Sequence, residues 1–264
     1  MMSTDDAAVV ARLRAAGCVF AEDEARLLIE AAATGAELES LVAQRVSGTP
    51  LEYLVGWAEF RKLRVAVAPG VFVPRRRTAL LVDEAVAAVT GRTEVVAVDL
   101  CCGSGALGMA FTTELEGIRV ELVASDIEPA AVDCARRNLE PLGGRVYQGD
   151  LFAALPRELA GRIDILLANV PYVPTAAIAD MPPEARDYEP RITLDGGDDG
   201  LAVFRRVAAA APDWLAPGGK VFVEAGAAQV ESAAAYLERC GLTARVAESD
   251  EYYATAVIGT RPNQ

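Results

Sequence analysis

The chain has 264 residues, 52% of them hydrophobic, enough for a large domain and a small one without disulfide or metal staples. Lys and Arg number 25 against 38 Asp and Glu, a net charge of −13, which argues against general binding to nucleic-acid backbones. Histidine is absent, which excludes Ser-His-Asp and Cys-His nucleophilic catalysis and histidine metal sites.

Residues 1–24 are acidic and alanine-rich, with neither a basic flank nor a long apolar core, so no signal peptide is expected. No apolar run reaches the ~18 residues that span a membrane. Residues 5–47 read as three short helices. Val9 and Leu13 lie one turn apart, and Leu27, Leu28 and Ile29 form a second apolar stretch. Leu38, Leu41, Val42 and Val46 repeat at helical spacing, with Gly17 and Gly35 at helix ends. Such a bundle either packs on the main body or docks a substrate.

Thr49-Pro50-Leu51-Glu52 has the form of a capping box, predicting a helix through Tyr53, Leu54 and Trp57 to near Phe60. Residues 63–67 alternate with period two, Pro69-Gly70 signals a turn, and Val71-Phe72-Val73 returns. That predicts a hairpin ended by Pro74. Arg75, Arg76, Arg77 and Thr78, a local basic patch, lead into a helix carrying Leu80, Leu81, Val82 and Val86.

From residue 94 strands and helices alternate, which predicts a parallel α/β sheet. Strands are expected at 95–100, 119–125, 145–148, 163–168 and 220–224, with a turn at Pro217-Gly218-Gly219. Helices are expected at 129–139, 201–215 and 229–240. Residues 243–248 and 252–259 read as a closing antiparallel hairpin. The bounds expected are an N-terminal helical domain over 1–60, a linking β-hairpin over 61–74 and the main domain over 75–264. Cys18, Cys101, Cys102, Cys134 and Cys240 make no C-x-x-C pair, so no metal site is expected. Scattered thiols suit a reducing, cytoplasmic setting.

Two stretches carry chemistry. Gly103-Ser104-Gly105-Ala106-Leu107-Gly108 matches G-x-G-x-x-G between a strand and a helix, and Asp126 follows about 20 residues on, placed to accept ribose hydroxyl protons. A nicotinamide dinucleotide and S-adenosylmethionine both fit. Asp99, just before the glycines, suits the cationic amino and sulfonium groups of the second better than a pyrophosphate. Asp150, in Gly149-Asp150-Leu151-Phe152, is either a helix cap or an acceptor for an adenine amino group, with apolar sides for the ring. The second stretch is the apolar run 163–168 leading into Asn169-Val170-Pro171-Tyr172. Pro171 must end the ladder, which sets an amide, bare carbonyls and an aromatic ring at the carboxyl end of a central strand.

Val98-Asp99-Leu100-Cys101-Cys102-Gly103-Ser104-Gly105 resembles the first motif of class I methyltransferases, with Cys101 where glycine is usual. Asn169-Val170-Pro171-Tyr172 resembles the Asn-Pro-Pro-Tyr motif of amide- and amine-directed N-methyltransferases. Three further stretches are similar to the release-factor glutamine methyltransferases. They are Pro50-Leu51-Glu52-Tyr53-Leu54-Val55-Gly56 with Glu59-Phe60, Val73-Pro74-Arg75 with Thr78, and Tyr188-Glu189-Pro190-Arg191 with 194–201. The likeness runs from about residue 45 to about 235. Departures are Val170 for proline, Arg76-Arg77 for Pro-Glu or Pro-Asp, Ala79 for Glu, and a shorter N-terminal region. They look like a paralogous branch.

The resemblance implies a Rossmann-like class I methyltransferase fold, mostly parallel with an antiparallel last hairpin, beside a small helical domain. It implies S-adenosylmethionine held by Asp99, Cys101, Gly103, Gly105, Asp126, Ile127, Asp150, Leu151 and Asn169. Asn169 and the Val170 carbonyl would hold the two hydrogens of a planar nitrogen, with Pro171 and Tyr172 completing the catalytic motif and Tyr172 stacking on the acceptor plane. The family's acceptor is a protein glutamine, hence a release-factor-like partner. A small acceptor such as free arginine is the alternative, with Glu184, Asp187, Glu189 and Arg75 as substrate-binding residues. A nicotinamide oxidoreductase and a catalytically silent binding protein explain fewer of these residues.

Overall fold

The computed structural model describes residues 4–263, so residues 1–3 and 264 of the expected bounds lie outside the described residues. Three helices open the chain: α1 (Thr4–Ala15), α2 (Ala21–Ala31) and α3 (Gly35–Val46). They enclose their own small core of Val9, Val10, Leu13, Leu28 and Val42. Thr34 caps α3 by accepting the Glu37 N–H at 3.2 Å, and Glu37 reaches back to the Ala33 N–H at 2.8 Å.

The next segment departs from the sequence expectation. Helix α4 (Leu51–Val55) begins after Pro50 with no side-chain cap, so Thr49 does not play the part its spacing suggested. The helix ends at Gly56, and Trp57–Phe60 is not helical. It is β1 (Trp57–Phe60), paired antiparallel with β2 (Leu63–Ala66). The hairpin turns at Arg61-Lys62, whose φ values are 50° and 63°. That two-residue geometry normally selects Asn-Gly, and without those residues the turn leaves no trace in the sequence. The hairpin therefore lies at 57–66 and not at 61–74. Val71-Phe72-Val73 forms no strand; Val71 instead packs against Ala131 and Cys134.

Helix α5 (Ala79–Ala88) precedes the alternating region. That region contains β3 (Glu94–Leu100), α6 (Ala106–Glu114), β4 (Arg119–Asp126), α7 (Pro129–Leu139), β5 (Arg145–Gln148) and β6 (Ile163–Ala168). Then come α8 (Pro183–Tyr188), α9 (Ala202–Trp214), β7 (Leu215–Glu224), α10 (Val230–Arg239), β8 (Thr243–Ser249) and β9 (Ala254–Thr260). The seven strands lie in the order β5-β4-β3-β6-β7-β9-β8. The first five are parallel, and β9 runs antiparallel to both β7 and β8. Ala97, Ile165, Leu167 and Phe222 point into one helical layer, and Val98, Leu100, Leu166 and Val223 into the other. Burial on both faces is why these strands read as unbroken apolar runs.

Pro217-Gly218-Gly219, expected as a turn, lies within β7. The register against β6 shifts between Ile163 and Ile165 to take up the extra residues. The strand order reverses between β3 and β6. Leu100 of β3 pairs with Ala168 of β6, which pairs with Val223 of β7. Cys101 and Asn169, just after β3 and β6, and Glu224, the last residue of β7, therefore meet at one edge, where open α/β sheets bind ligands.

Candidate active site

A cleft with a cavity volume of about 270 Å3 opens at that edge. Its first wall is the glycine-rich turn. Cys101 and Gly103 adopt left-handed φ values of 53° and 54°. A left-handed non-glycine costs about 1–2 kcal/mol, so position 101 is one where glycine would fit without strain. Cys101→Gly is accordingly expected to stay within about 1 kcal/mol of the parent in urea unfolding, and β-branched Cys101→Val to lose about 2 kcal/mol.

Gly105 (φ 78°) does not line the cleft as expected. It lets α6 begin against α7, because a Cβ there would lie 2.9 Å from Leu139. The turn is pinned from behind by Asn138, whose amide donates to the carbonyls of Ser104 at 2.8 Å and Ala66 at 2.9 Å.

Asp99 also differs from expectation. It is fully buried and absent from the cleft wall. Alternation along β3 turns its side chain toward α6, where Oδ2 accepts the Gly108 N–H at 2.9 Å and Oδ1 has no partner among the described residues. It serves one of the free N–H groups in the first turn of α6. Burial pushes its carboxyl up to about 8. The folded chain thus keeps a proton that the unfolded chain releases near pH 4. Stability of the cofactor-free protein should fall as pH rises from about 4 to about 8, with a slope up to about 1.4 kcal/mol per unit. Asp99→Asn keeps the acceptor for Gly108 and should remove this contribution, measured by urea unfolding across that range.

Asp126, Ile127, Asp150 and Leu151 line the cleft on the β4–β5 side. Asp126 accepts the Gly103 N–H and the Glu128 N–H at 2.9 and 3.0 Å, through different oxygens. Burial raises its pKa, opposed by these backbone donors. Asp150 makes no cap; it lies 2.5 Å from Arg206 of α9, which also lines the cleft. Arg206 was not singled out from the sequence, because nothing local links it to Asp150.

The near end is the stretch after β6. Asn169, Val170, Pro171 and Tyr172 all line the cleft. Asn169 Oδ1 is buried and has no hydrogen-bond partner among the described residues. No described residue donates to the Val170 carbonyl. Val170 itself is buried in the core layer beneath.

Tyr172 is fixed at both ends. Its carbonyl accepts from Gln229 Nε2 at 2.8 Å, and its hydroxyl donates to Glu224 Oε1 at 2.7 Å. Glu224 is buried, and also takes the Thr78 hydroxyl at 2.6 Å and Arg77 Nε at 2.8 Å. Burial, then the Glu224 carboxylate, hold the phenol well above its ordinary range, so it remains a donor. Thr78, Arg77, Glu224 and Gln229 had no assigned role. Glu224 carried a usable signal, since it ends a central parallel strand as Asn169 does.

Of the expected acceptor residues, Arg75 and Glu189 line the cleft and Glu184 and Asp187 do not. Glu184 pairs with Arg45, which also binds Glu24 at 2.6 Å, so it ties α8 to the N-terminal helices. Asp187 pairs with its neighbour Arg186 at 2.7 Å. Arg75 lies 2.6 Å from Glu189, Arg77 pairs with Glu224, and Arg76 is 3.5 Å from Glu251. The three arginines are thus individually countered and do not form an open basic patch. Val173 and Thr175 bond to Leu194 and Gly197, closing the neck of a loop whose residues Met181, Glu189 and Ile192 form the outer wall.

Among the described residues no acidic or cysteine cluster suits a metal ion, and no helix is long and apolar enough to cross a membrane. The family model for the methyltransferase small domain matches residues 62–181. A release factor glutamine methyltransferase of Geobacter sulfurreducens is 36% identical over 228 residues, covering 86% of this chain and 78% of that protein. A 4-amino-L-phenylalanine/4-methylamino-L-phenylalanine methyltransferase of Streptomyces pristinaespiralis is 34% identical over 205 residues, covering 76% of this chain and 69% of that one. A crystal structure of a methyltransferase from Pyrococcus furiosus shares the fold, with a TM-score of 0.57 at 16% identity over 76% of this chain and 90% of that one.

Proposed function

Because the chain belongs to the release factor glutamine methyltransferase family of S-adenosylmethionine-dependent enzymes, we propose that it methylates a planar side-chain NH2 held by Asn169 and the Val170 carbonyl. The observation that carries this reading is the buried, unpartnered Asn169 Oδ1 in the cleft wall. A buried acceptor left without a donor costs about 1–3 kcal/mol, a cost that an incoming N–H removes.

The residues present suit S-adenosylmethionine. The left-handed turn at Cys101 and Gly103 exposes backbone, Asp126 offers a carboxylate to a ribose diol, and Asp150 with Leu151 and Ile127 suits an adenine. When bound, the cofactor supplies an electrophilic methyl group on sulfur, and the S–C electron pair leaves with the sulfur. Asn169 Oδ1 and the Val170 carbonyl accept the two hydrogens of the NH2 group. Its plane would thereby be fixed, leaving the nitrogen's out-of-plane electron density open to the methyl group that the cofactor would supply. Such alignment supplies much of the acceleration. The same two oxygens stabilise the positive charge that grows as the N–C bond forms. One N–H proton then leaves to solvent, and an amide needs no base beforehand because methylation acidifies its nitrogen. Tyr172, locked by Glu224, gives the acceptor plane a fixed ring to lie against.

The acceptor carried over from the family is a glutamine amide in a release factor. Incubation with labelled S-adenosylmethionine and a bacterial release factor tests it: label in a glutamine of the factor is the expected result, and label confined to small products overturns it. A second reading, a small amino-acid acceptor, is supported by Arg77 in the cleft wall and by the relative named for 4-amino-L-phenylalanine.

A further inference from the structure

Asn169 is not the only hydrogen-bonding group left open at the near end of the cleft. The Glu189 side chain is 1% exposed. Its Oε1 takes the Val73 N–H at 3.1 Å and Arg75 Nη2 at 2.6 Å, while Oε2 is buried without a partner among the described residues. A buried carboxylate oxygen without a donor is costly and suits a charged N–H group.

Arg77 offers the opposite chemistry. Its guanidinium carbon lies 5.6 Å from the centre of the Tyr172 ring, within reach of whatever stacks there. Its contact with Glu224 runs through Nε, and neither Nη forms a hydrogen bond among the described residues. Tyr172 and Thr78 donate to the same carboxylate, so Glu224 holds Arg77 by Nε and leaves the Nη edge facing away from the pair. A free guanidinium edge matches a carboxylate in shape and charge. The side chain is 47% exposed, so it can be approached.

We propose that Glu189 Oε2, the Nη edge of Arg77 and the Asn169 clamp form one subsite for a free α-amino acid whose side chain ends in an NH2 group. The ammonium goes to Glu189, the carboxylate to Arg77, and the NH2 to Asn169 and Val170. The inference rests on the clamp reading and develops its second, small-acceptor form in place of the release-factor glutamine. A residue inside a peptide has neither an α-ammonium nor an α-carboxylate to offer, so the outer two contacts select free amino acids. Arg77 is then a specificity-determining residue.

The test titrates the protein, saturated with S-adenosylhomocysteine, against L-glutamine, L-asparagine, L-arginine and 4-amino-L-phenylalanine, each beside its decarboxylated amine. The same panel is assayed for transfer from labelled S-adenosylmethionine. At least one amino acid should bind and be methylated, with about a tenfold preference over its amine, the scale of one charge-assisted contact. Arg77→Gln should erase the preference, raising KM for the amino acid more than it lowers kcat. Arg77→Lys, which keeps the charge, should retain part of it and separates recognition from a folding defect.

The proposal is overturned if no member of the panel binds or is methylated. It is equally overturned if the amines do as well as the acids, or if the preference survives Arg77→Gln. Methylation of an intact release factor that disappears in Asn169→Ala, with no small acceptor taken, removes this inference while leaving the clamp in place.

Discussion

Asn169→Ala is expected to lower kcat by about 10²–10³-fold while the affinity for S-adenosylmethionine changes by less than about threefold. The residues proposed to hold the cofactor, Cys101, Gly103, Asp126 and Asp150, make no hydrogen bond to Asn169 Oδ1. What the substitution removes is an acceptor whose oxygen has no other described partner. With it gone, the NH2 group rotates, and the nitrogen's electron density no longer faces the methyl carbon. The loss belongs to the reacting geometry and not to uniform binding, so it should appear in kcat. Calorimetric titration of the cofactor with single-turnover transfer from labelled S-adenosylmethionine separates the two. Normal turnover in Asn169→Ala would falsify the clamp.

Gly200→Ala is expected to cost about 3 kcal/mol in urea unfolding and to abolish most turnover. Gly200 has a φ of 75°, and a Cβ there would lie 2.2 Å from both the Tyr172 carbonyl oxygen and Gln229 Nε2. Left-handed alanine contributes about 1–2 kcal/mol of this. The rest comes from losing the Gln229 bond to the Tyr172 carbonyl, about 1 kcal/mol. Tyr172 must move for the methyl group to fit, so stability and turnover should fall together. Gln229→Ala removes the bond to Tyr172 without the clash, together with those to the Asp199 carbonyl and the Gly226 N–H, and should lose about 1–3 kcal/mol with a smaller share of kcat.

Strands β3 and β6 were legible in the sequence because burial on both faces leaves an apolar run with no other explanation. The clamp was legible because Pro171 ends one of those runs beside an amide. The hairpin was misplaced for a local reason. Arg61 and Lys62 hold left-handed backbone without the residues that announce it, while Pro69-Gly70 announces a turn between segments that never pair. Asp99 was misassigned because strand position does not say which layer a side chain enters, and it enters the α6 layer. Glu184 and Asp187 looked like a charged acceptor wall. One is engaged by Arg45 from a distant helix and the other by Arg186 next to it. The ring of Tyr172 was visible in the sequence, but its support by Arg77, Thr78, Glu224 and Gln229 was not. That support joins segments far apart in the chain, and only the crossovers of the sheet bring them together.

The neck at Val173, Thr175, Leu194 and Gly197 has a consequence for how such an enzyme can change over generations. It closes off a loop that ends beside the clamp and begins there too, so residues 176–193 form an insert with a fixed base. Changes in it that keep the Glu184 and Glu189 contacts to Arg45, Val73 and Arg75 leave β6, Glu224 and the glycine-rich turn undisturbed. Glu189 and Ile192 hang from the insert, whereas Asn169 and Asp126 hang from the sheet. A lineage can therefore exchange what it methylates while inheriting, unaltered, the means of methylating it.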